Sequence, residues 1–168
     1  YDYDIPITDD AVIADIEAKL RRNQAEWQAL GVEGRIAVLL EFRDALLRHT
    51  DAIVTALSVD TGRHALAAGE LMGLVAMIDR WCLLAPDLIR TEERPSTALP
   101  HITMRDQLQP YPLLGVISPW NFPLLLSFID AIPALLAGCS VIVKPSEVTP
   151  RFAAAVVPAI ESVPALAR

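Results

Sequence analysis

Two short apolar runs, Leu113-Leu-Gly-Val-Ile117 and Ser140-Val-Ile-Val143, flank a helical run from Pro123 to Ala137, and nothing else in the chain constrains its fold as tightly. Each run is bounded by turn-forming residues: Ser118-Pro-Trp-Asn121 follows the first, Gly138 precedes the second and Lys144-Pro-Ser-Glu147 follows it. A strand, a crossover helix and a second strand make a βαβ unit, for which parallel pairing and a right-handed crossover are the rule. In such sheets ligands bind beyond the carboxyl ends of the strands. The pattern therefore predicts that Ser118 to Asn121 and Lys144 to Glu147 lie side by side at one end of a sheet, as a candidate site. Thr149 is expected to cap a further helix that begins at Pro150.

The residues before this unit are helical. Val12, Ile13, Ile16, Leu20, Trp27 and Leu30 recur at helical spacing, with Thr8 or Asp9 as cap and Gly31 as stop. A second helix is expected to carry Ile36, Leu39, Leu40, Leu46, Leu47, Ile53, Val54 and Leu57 on one broad face, ending at Thr61-Gly62. A third carries Leu71, Leu74, Val75, Ile78, Trp81, Cys82, Ala85, Leu88 and Ile89 at steps of three and four. Short connections imply antiparallel packing into a helical layer. Between Arg90 and Pro110 the character changes: Thr91-Glu-Glu-Arg-Pro-Ser96 reads as a polar loop, and residues 101–108 as an exposed strand or hairpin arm.

The 168 residues suffice for one ordinary domain, and 53% hydrophobic residues indicate a globular chain. A net charge of −7 argues against a nucleic-acid partner, which requires a basic surface. Residues 113–143 carry one formal charge, Asp130, but Pro119, Asn121, Pro123, Pro133 and Gly138 interrupt the stretch too often for a spanning helix of about 20 residues. No membrane association is expected. Tyr1-Asp-Tyr-Asp4 is acidic where a secretory leader is basic, so a cytoplasmic location is the expectation. Asp2, Asp4, Asp9 and Asp10 read as a solvated end and not as a metal site; Cys82 and Cys139 offer neither a disulfide framework nor metal-ligand spacing. No metal is expected.

Pro119-Trp-Asn-Phe-Pro123 and Lys144-Pro-Ser-Glu147, at this separation and in this order, resemble the NAD(P)-dependent aldehyde dehydrogenase superfamily. Asp60-Thr-Gly-Arg63 is similar to that family's Asp-Thr-Gly-Lys segment, with Arg in place of Lys. The resemblance covers nearly the whole chain, yet family members are much longer, and their nucleophilic cysteine and second glycine-rich cofactor loop lie downstream of these residues. It implies an α/β fold, in which an amino-terminal helical layer leads into the first βαβ of a Rossmann-like parallel sheet, incomplete as given. Residues 1–95 would be the helical part of the cofactor-binding domain, 96–112 a strand arm for subunit association, and 113–168 the first βαβ-α. Two parallel strands with uncovered edges and faces are also an unstable unit, so the chain is expected to be part of a larger protein.

By the same resemblance, Asn121 would donate its side-chain amide to the oxyanion formed when a thiol attacks an aldehyde. The plain alternative is that Asn121 caps the helix starting near Phe122-Pro123. Lys144, Ser146 and Glu147 would hold the adenosine ribose of NAD, with NADP possible: Lys144 donates to hydroxyls, Glu147 accepts from them, and a 2′-phosphate is repelled by one and attracted by the other. Singly, these are an ordinary solvated strand end and helix-proximal carboxylate. Ile117, Ser118, Pro119 and Trp120 would line the cofactor cleft through backbone and apolar contacts. No Gly-x-Gly-x-x-Gly fingerprint is present. Cys139, at the entry of a strand and without a neighbouring base, reads as a small buried hydrophobe, as does Cys82. His49, His64 and His101 are scattered and read as surface or loop residues. The implied activity is oxidation of an aldehyde to a carboxylic acid by a homo-oligomer. The alternatives are a noncatalytic nucleotide-binding or assembly fragment that needs a partner, and a CoA-acylating aldehyde dehydrogenase.

Overall fold

Strands β3 (Leu113–Ile117) and β4 (Ser140–Lys144) pair in parallel, with Leu113 opposite Ser140 and Ile117 opposite Lys144. The helix between them, α5 (Pro123–Ala137), makes the crossover, as the apolar pattern requires. This computed structural model describes residue 5 and residues 7–167, so Asp2 and Asp4 of the acidic start lie outside the described residues. Before the βαβ unit come α1 (Asp10–Ala29), α2 (Gly31–Arg48), α3 (Thr50–Thr61) and α4 (His64–Leu88), then a two-stranded antiparallel arm of β1 (Glu92–Pro95) and β2 (Thr103–Asp106). Helix α6 (Arg151–Glu161) follows β4.

Helix α4 lies at the centre, packed against α2, α3 and α5. Of its predicted stripe, Leu71, Leu74, Val75, Ile78, Cys82 and Ala85 are buried and Trp81 and Ile89 half-buried, whereas Leu88, in the last turn, is exposed; Ala67 extends the buried stripe toward the helix start. Phe42 of α2 meets Phe128 of α5 with ring centroids 5.7 Å apart and the planes tilted by 39°. One face of the sheet, formed by Leu114, Val116, Val141 and Val143, joins the same core. In α1 the cap is Asp9, whose carboxylate accepts from the Ala11 amide at 2.9 Å. Only the second half of that helix packs inward: Trp27 is buried, whereas Val12, Ile13 and Ile16 are exposed.

Three local expectations are corrected. The expected second helix is two helices, α2 and α3, broken at His49. There the Thr50 hydroxyl donates to the Leu47 carbonyl at 2.7 Å, an example of a short polar side chain competing with the helical ladder. The residues read as a polar loop contain β1, whose members are all exposed and whose pairing depends on residues far along the chain. Charge pairs accompany its register: Arg94 with Asp106 at 3.4 Å and Arg105 with Glu93 at 3.7 Å. Finally, α6 begins at Arg151, and Thr149 does not cap it. The Asp60 carboxylate does so from α3, accepting from the Arg151 amide at 2.7 Å and pairing with the Arg151 guanidinium.

Among the described residues no helix is long and apolar enough to cross a membrane, and no group of three or more His, Cys, Asp or Glu side chains could hold a metal ion.

Candidate functional site

At the carboxyl end of the sheet, the Ser118 amide donates to the Lys144 carbonyl at 3.0 Å and extends the ladder one residue past Ile117. The chain then turns through Pro119, Trp120, Asn121 and Phe122 into α5. Every carbonyl from Trp120 to Pro123 is occupied. Thr149 Oγ1 donates to Trp120 at 3.1 Å, the Arg63 guanidinium to Asn121, the Leu126 amide to Phe122 at 3.0 Å, and Ser127 Oγ to Pro123 at 2.6 Å. Backbone groups satisfied in this way leave the turn little freedom. Of its side chains, Trp120 is 59% exposed and Pro119 and Asn121 are exposed as well, whereas Phe122 is half-buried; Ile117, at the end of β3, is 82% exposed.

The start of α5 explains what Asn121 is not doing. A helix leaves its first amides without intrahelical partners, and a nearby Ser, Thr, Asp or Asn normally accepts from them. Here the residue before the helix is Phe122 and no local side chain caps it. Pro123 has no N–H to satisfy. The amides of Leu124 and Leu125 instead donate to Glu70 Oε1, at 2.8 and 3.1 Å, from the buried face of α4. The capping alternative for Asn121 therefore has no hydrogen bond behind it, and its side-chain amide makes none to any described residue. Burial pushes the Glu70 carboxyl above the usual carboxylate range, opposed by those two amides and by the charge of Arg63.

Across the sheet end, Lys144 Nζ lies 2.9 Å from Glu147 Oε2, and both side chains are largely exposed. The hydrogen bond to Lys144 holds the Glu147 carboxyl below its ordinary value, so this group is an anion at neutral pH. The two predicted serines are differently placed. Ser118 is buried, and its hydroxyl and that of Ser127 share a 2.7 Å hydrogen bond. Ser146 is buried too and accepts from the Val148 amide at 3.2 Å. Both hydroxyls shape the turns from inside, while Ile117, Pro119, Trp120, Asn121, Lys144 and Glu147 form the outer surface.

Sequence reasoning passed over the residues that support this surface. Asp60-Thr-Gly-Arg63 served only as a family mark, yet each member has a structural task. Asp60 caps α6, Thr61 Oγ1 donates to the Leu57 carbonyl at 2.7 Å, and Gly62 takes the left-handed φ of +67° that ends α3. The Arg63 guanidinium sits 4.7 Å from the centroid of the Phe122 ring. Glu70 carried a usable signal: it stands in register with Ala67, Leu71 and Leu74, a carboxylate on a stripe that is otherwise apolar.

The remaining candidates fall where chemistry is absent. Cys139 is buried at the amino end of β4, beside a cleft of about 190 Å³ whose other walls include Leu20, Trp27 and Leu135. Burial raises its pKa, and that of Cys82 to about 11, so neither is a thiolate nucleophile at neutral pH. His64 and His101 are exposed, and His49 sits at the α2–α3 break with Nδ1 3.2 Å from the Ala45 carbonyl.

Residues 4–166 match the model of the aldehyde dehydrogenase family. The chain belongs to that family. A Mycobacterium tuberculosis protein provisionally assigned as succinate-semialdehyde dehydrogenase [NADP(+)] 2 is 33% identical over 147 residues, which are 84% of this chain and 28% of the relative. Geranial dehydrogenase of Castellaniella defragrans is 36% identical over 126 residues, 73% of this chain and 26% of the relative. The solved structure of PutA from Anabaena variabilis, provisionally assigned as an aldehyde dehydrogenase, is 49% identical and superimposes with a TM-score of 0.95. That match covers 98% of this chain and 35% of the solved one. The aldehyde dehydrogenase chain described here thus spans about a third or less of the proteins it matches, in their amino-terminal part.

Proposed function

We propose that this chain supplies the oxyanion donor and half of the cofactor cleft of an NAD(P)-dependent aldehyde dehydrogenase, and that the thiol nucleophile and general base come from elsewhere in the complete enzyme. The observation that carries this reading is the contrast within the turn after β3. The carbonyls from Trp120 to Pro123 all accept hydrogen bonds that fix the backbone, while the exposed Asn121 side-chain amide has no hydrogen-bond partner among the described residues. A donor fixed before the reaction stabilises charge that appears on the aldehyde oxygen during nucleophilic attack, because it need not reorganise at that moment. Without a nucleophile of its own, the isolated chain is inactive under this reading.

The Lys144–Glu147 pair fits the ribose end of a dinucleotide. An ionised carboxylate accepts from a vicinal diol, the ammonium donates to it, and both stand at the carboxyl end of β4 where such ligands bind. Ile117, Pro119 and Trp120 add an apolar wall beside them, and Ser118 and Ser146 contribute by holding the two turns in shape. The cofactor, when bound, accepts the hydride that leaves the substrate carbon. We assign NAD as the preferred form and leave NADP as an accepted one, since Glu147 opposes a 2′-phosphate and Lys144 attracts it. The β1–β2 arm, exposed on all its residues, serves subunit association in a cytoplasmic homo-oligomer.

The test is Asn121→Ala in the complete enzyme. The expected outcome is a fall in kcat of about 100-fold or more, with the dissociation constant for NAD changed by less than about twofold. An unchanged kcat removes the oxyanion assignment.

A further inference from the structure

The oxyanion reading of Asn121, on which this inference rests, requires the donor to be held still, yet nothing described holds the side chain itself. What is held is the backbone on either side of it, by two charged side chains: Arg63 at the corner between α3 and α4, and Glu70 from the buried face of α4. Arg63 donates to the Asn121 carbonyl and lies over the Phe122 ring, 4.7 Å from its centroid. Glu70, 7% exposed, accepts from the amides of Leu124 and Leu125. Four of the five residues from Asn121 to Leu125 are thus gripped from one direction.

A local cap at position 122 would have satisfied the first amides of α5 equally well. It would have fixed the helix start to itself and to nothing else. A carboxylate carried on α4 couples the helix start to the central helix of the core, which shares its buried stripe with α2, α3 and α5. Burying that carboxylate is costly unless its hydrogen bonds are made, so the arrangement tolerates little displacement of the two amides. With Phe122 in the capping position, the guanidinium of Arg63 also gains an aromatic face against which to lie.

We propose that Arg63 and Glu70 are positioning residues for Asn121: together they fix the exit of β3 against α4, so that the outward amide is set at the angle the developing oxyanion needs. Neither touches the reacting atoms. Both act through the turn, and their loss misplaces the donor without removing it.

The experiment uses the complete enzyme with Arg63→Met, Arg63→Lys and Glu70→Gln, each alone and combined with Asn121→Ala. Arg63→Met is expected to lower kcat about tenfold or more, since small misplacements of a catalytic group are expensive in rate, with NAD affinity little changed. Arg63→Lys, which keeps a donor for the Asn121 carbonyl, restores part of that loss. Glu70→Gln keeps one acceptor oxygen and gives a smaller loss. In the Asn121→Ala background neither Arg63→Met nor Glu70→Gln costs anything further, because the group they position is gone. An unchanged kcat in Arg63→Met, or a loss that persists in full beside Asn121→Ala, overturns the proposal. Should Asn121→Ala itself leave kcat unchanged, the oxyanion reading fails separately. The grip is then judged by deuterium uptake of the segment 119–126: faster exchange in Arg63→Met and Glu70→Gln retains the positioning role for the turn, and unchanged exchange ends it.

Discussion

The two ends of α5 face the same physical problem and solve it in opposite ways. At its amino end the free amides of Leu124 and Leu125 are met by Glu70, and at its carboxyl end the free carbonyls are met by cationic and polar side chains. Arg35 Nε donates to Leu136 at 2.9 Å, Trp27 Nε1 to Leu135 at 2.9 Å and Gln24 Nε2 to Gly138 at 2.8 Å. An anion at the first end and a cation at the last both suit the helix dipole. The difference lies in what the support leaves uncovered. At the carboxyl end Gln24, Trp27 and Arg35 are themselves buried, and they cover the helix end apart from the cleft beside Cys139. At the amino end the support comes from beneath, and Trp120 and Asn121 remain outside. One end is covered by its supports, and the other leaves exposed side chains on a hydrogen-bonded backbone, as the proposed oxyanion role requires.

This contrast predicts a separation of phenotypes. Substitutions at the carboxyl end lower stability and leave the turnover of folded enzyme intact, whereas those around Asn121 lower turnover. The largest stability effect is expected for Arg35→Met. Burial already depresses the pKa of this guanidinium, and its loss strands the Leu136 carbonyl, buried beneath it; the bond it also makes to the carbonyl of the exposed Gln28, at 3.0 Å, is one that water can replace. Leaving a buried carbonyl without its charged donor costs about 2–3 kcal/mol, read as a lower denaturation midpoint at fixed protein concentration. A large drop in kcat with no loss of stability would erase the distinction between the two ends.

Gly138→Ala comes next. The residue ends α5 with φ of +104°, and an added Cβ would stand 3.3 Å from Pro110 Cγ and 3.6 Å from Arg35 Cζ. The backbone conformation alone costs an L residue about 1–2 kcal/mol, and the tight contact with the Pro110 ring adds to it. Equilibrium unfolding of the complete enzyme checks this, and a neutral result would mean that this end of the helix can relax.

What the sequence disclosed, and what it hid, divides along the same line. The βαβ unit was legible because apolar runs at strand and helix periods report local burial, and Gly138 marks the helix end by its own chemistry. The site's position followed from topology, since parallel strands must send Ser118 and Lys144 to the same end. The supports stayed hidden because each acts across a long stretch of chain: Arg35 on Leu136, Glu70 on Leu124, Asp60 on Arg151. Thr149 shows the limit well. It is a reasonable cap by type and position, but its hydroxyl goes to Trp120 because Asp60 already holds the Arg151 amide. Arg35 did leave a trace, standing in register with the buried Leu39, Phe42 and Leu46. A charge on a buried stripe signals a distant partner without naming it.

The smallest effect is expected farthest from both helix ends, at Glu147→Gln. This carboxylate is solvated and pairs with Lys144 at 2.9 Å, with a further hydrogen bond to its own backbone, so its removal leaves no buried group unsatisfied and stability should not move. Its charge, however, faces the place proposed for the adenosine ribose, and Lys144 is left without its counterion. The ammonium then attracts a 2′-phosphate unopposed, while the diol keeps an amide oxygen to donate to. The ratio of kcat/KM for NAD to that for NADP is expected to fall by about three- to tenfold, more at low ionic strength because exposed charges are screened by salt. A ratio that ignores both the substitution and the salt would place the ribose away from Lys144-Pro-Ser-Glu147. The claim that this end of the sheet presents side chains to a ligand would then rest on Asn121 alone.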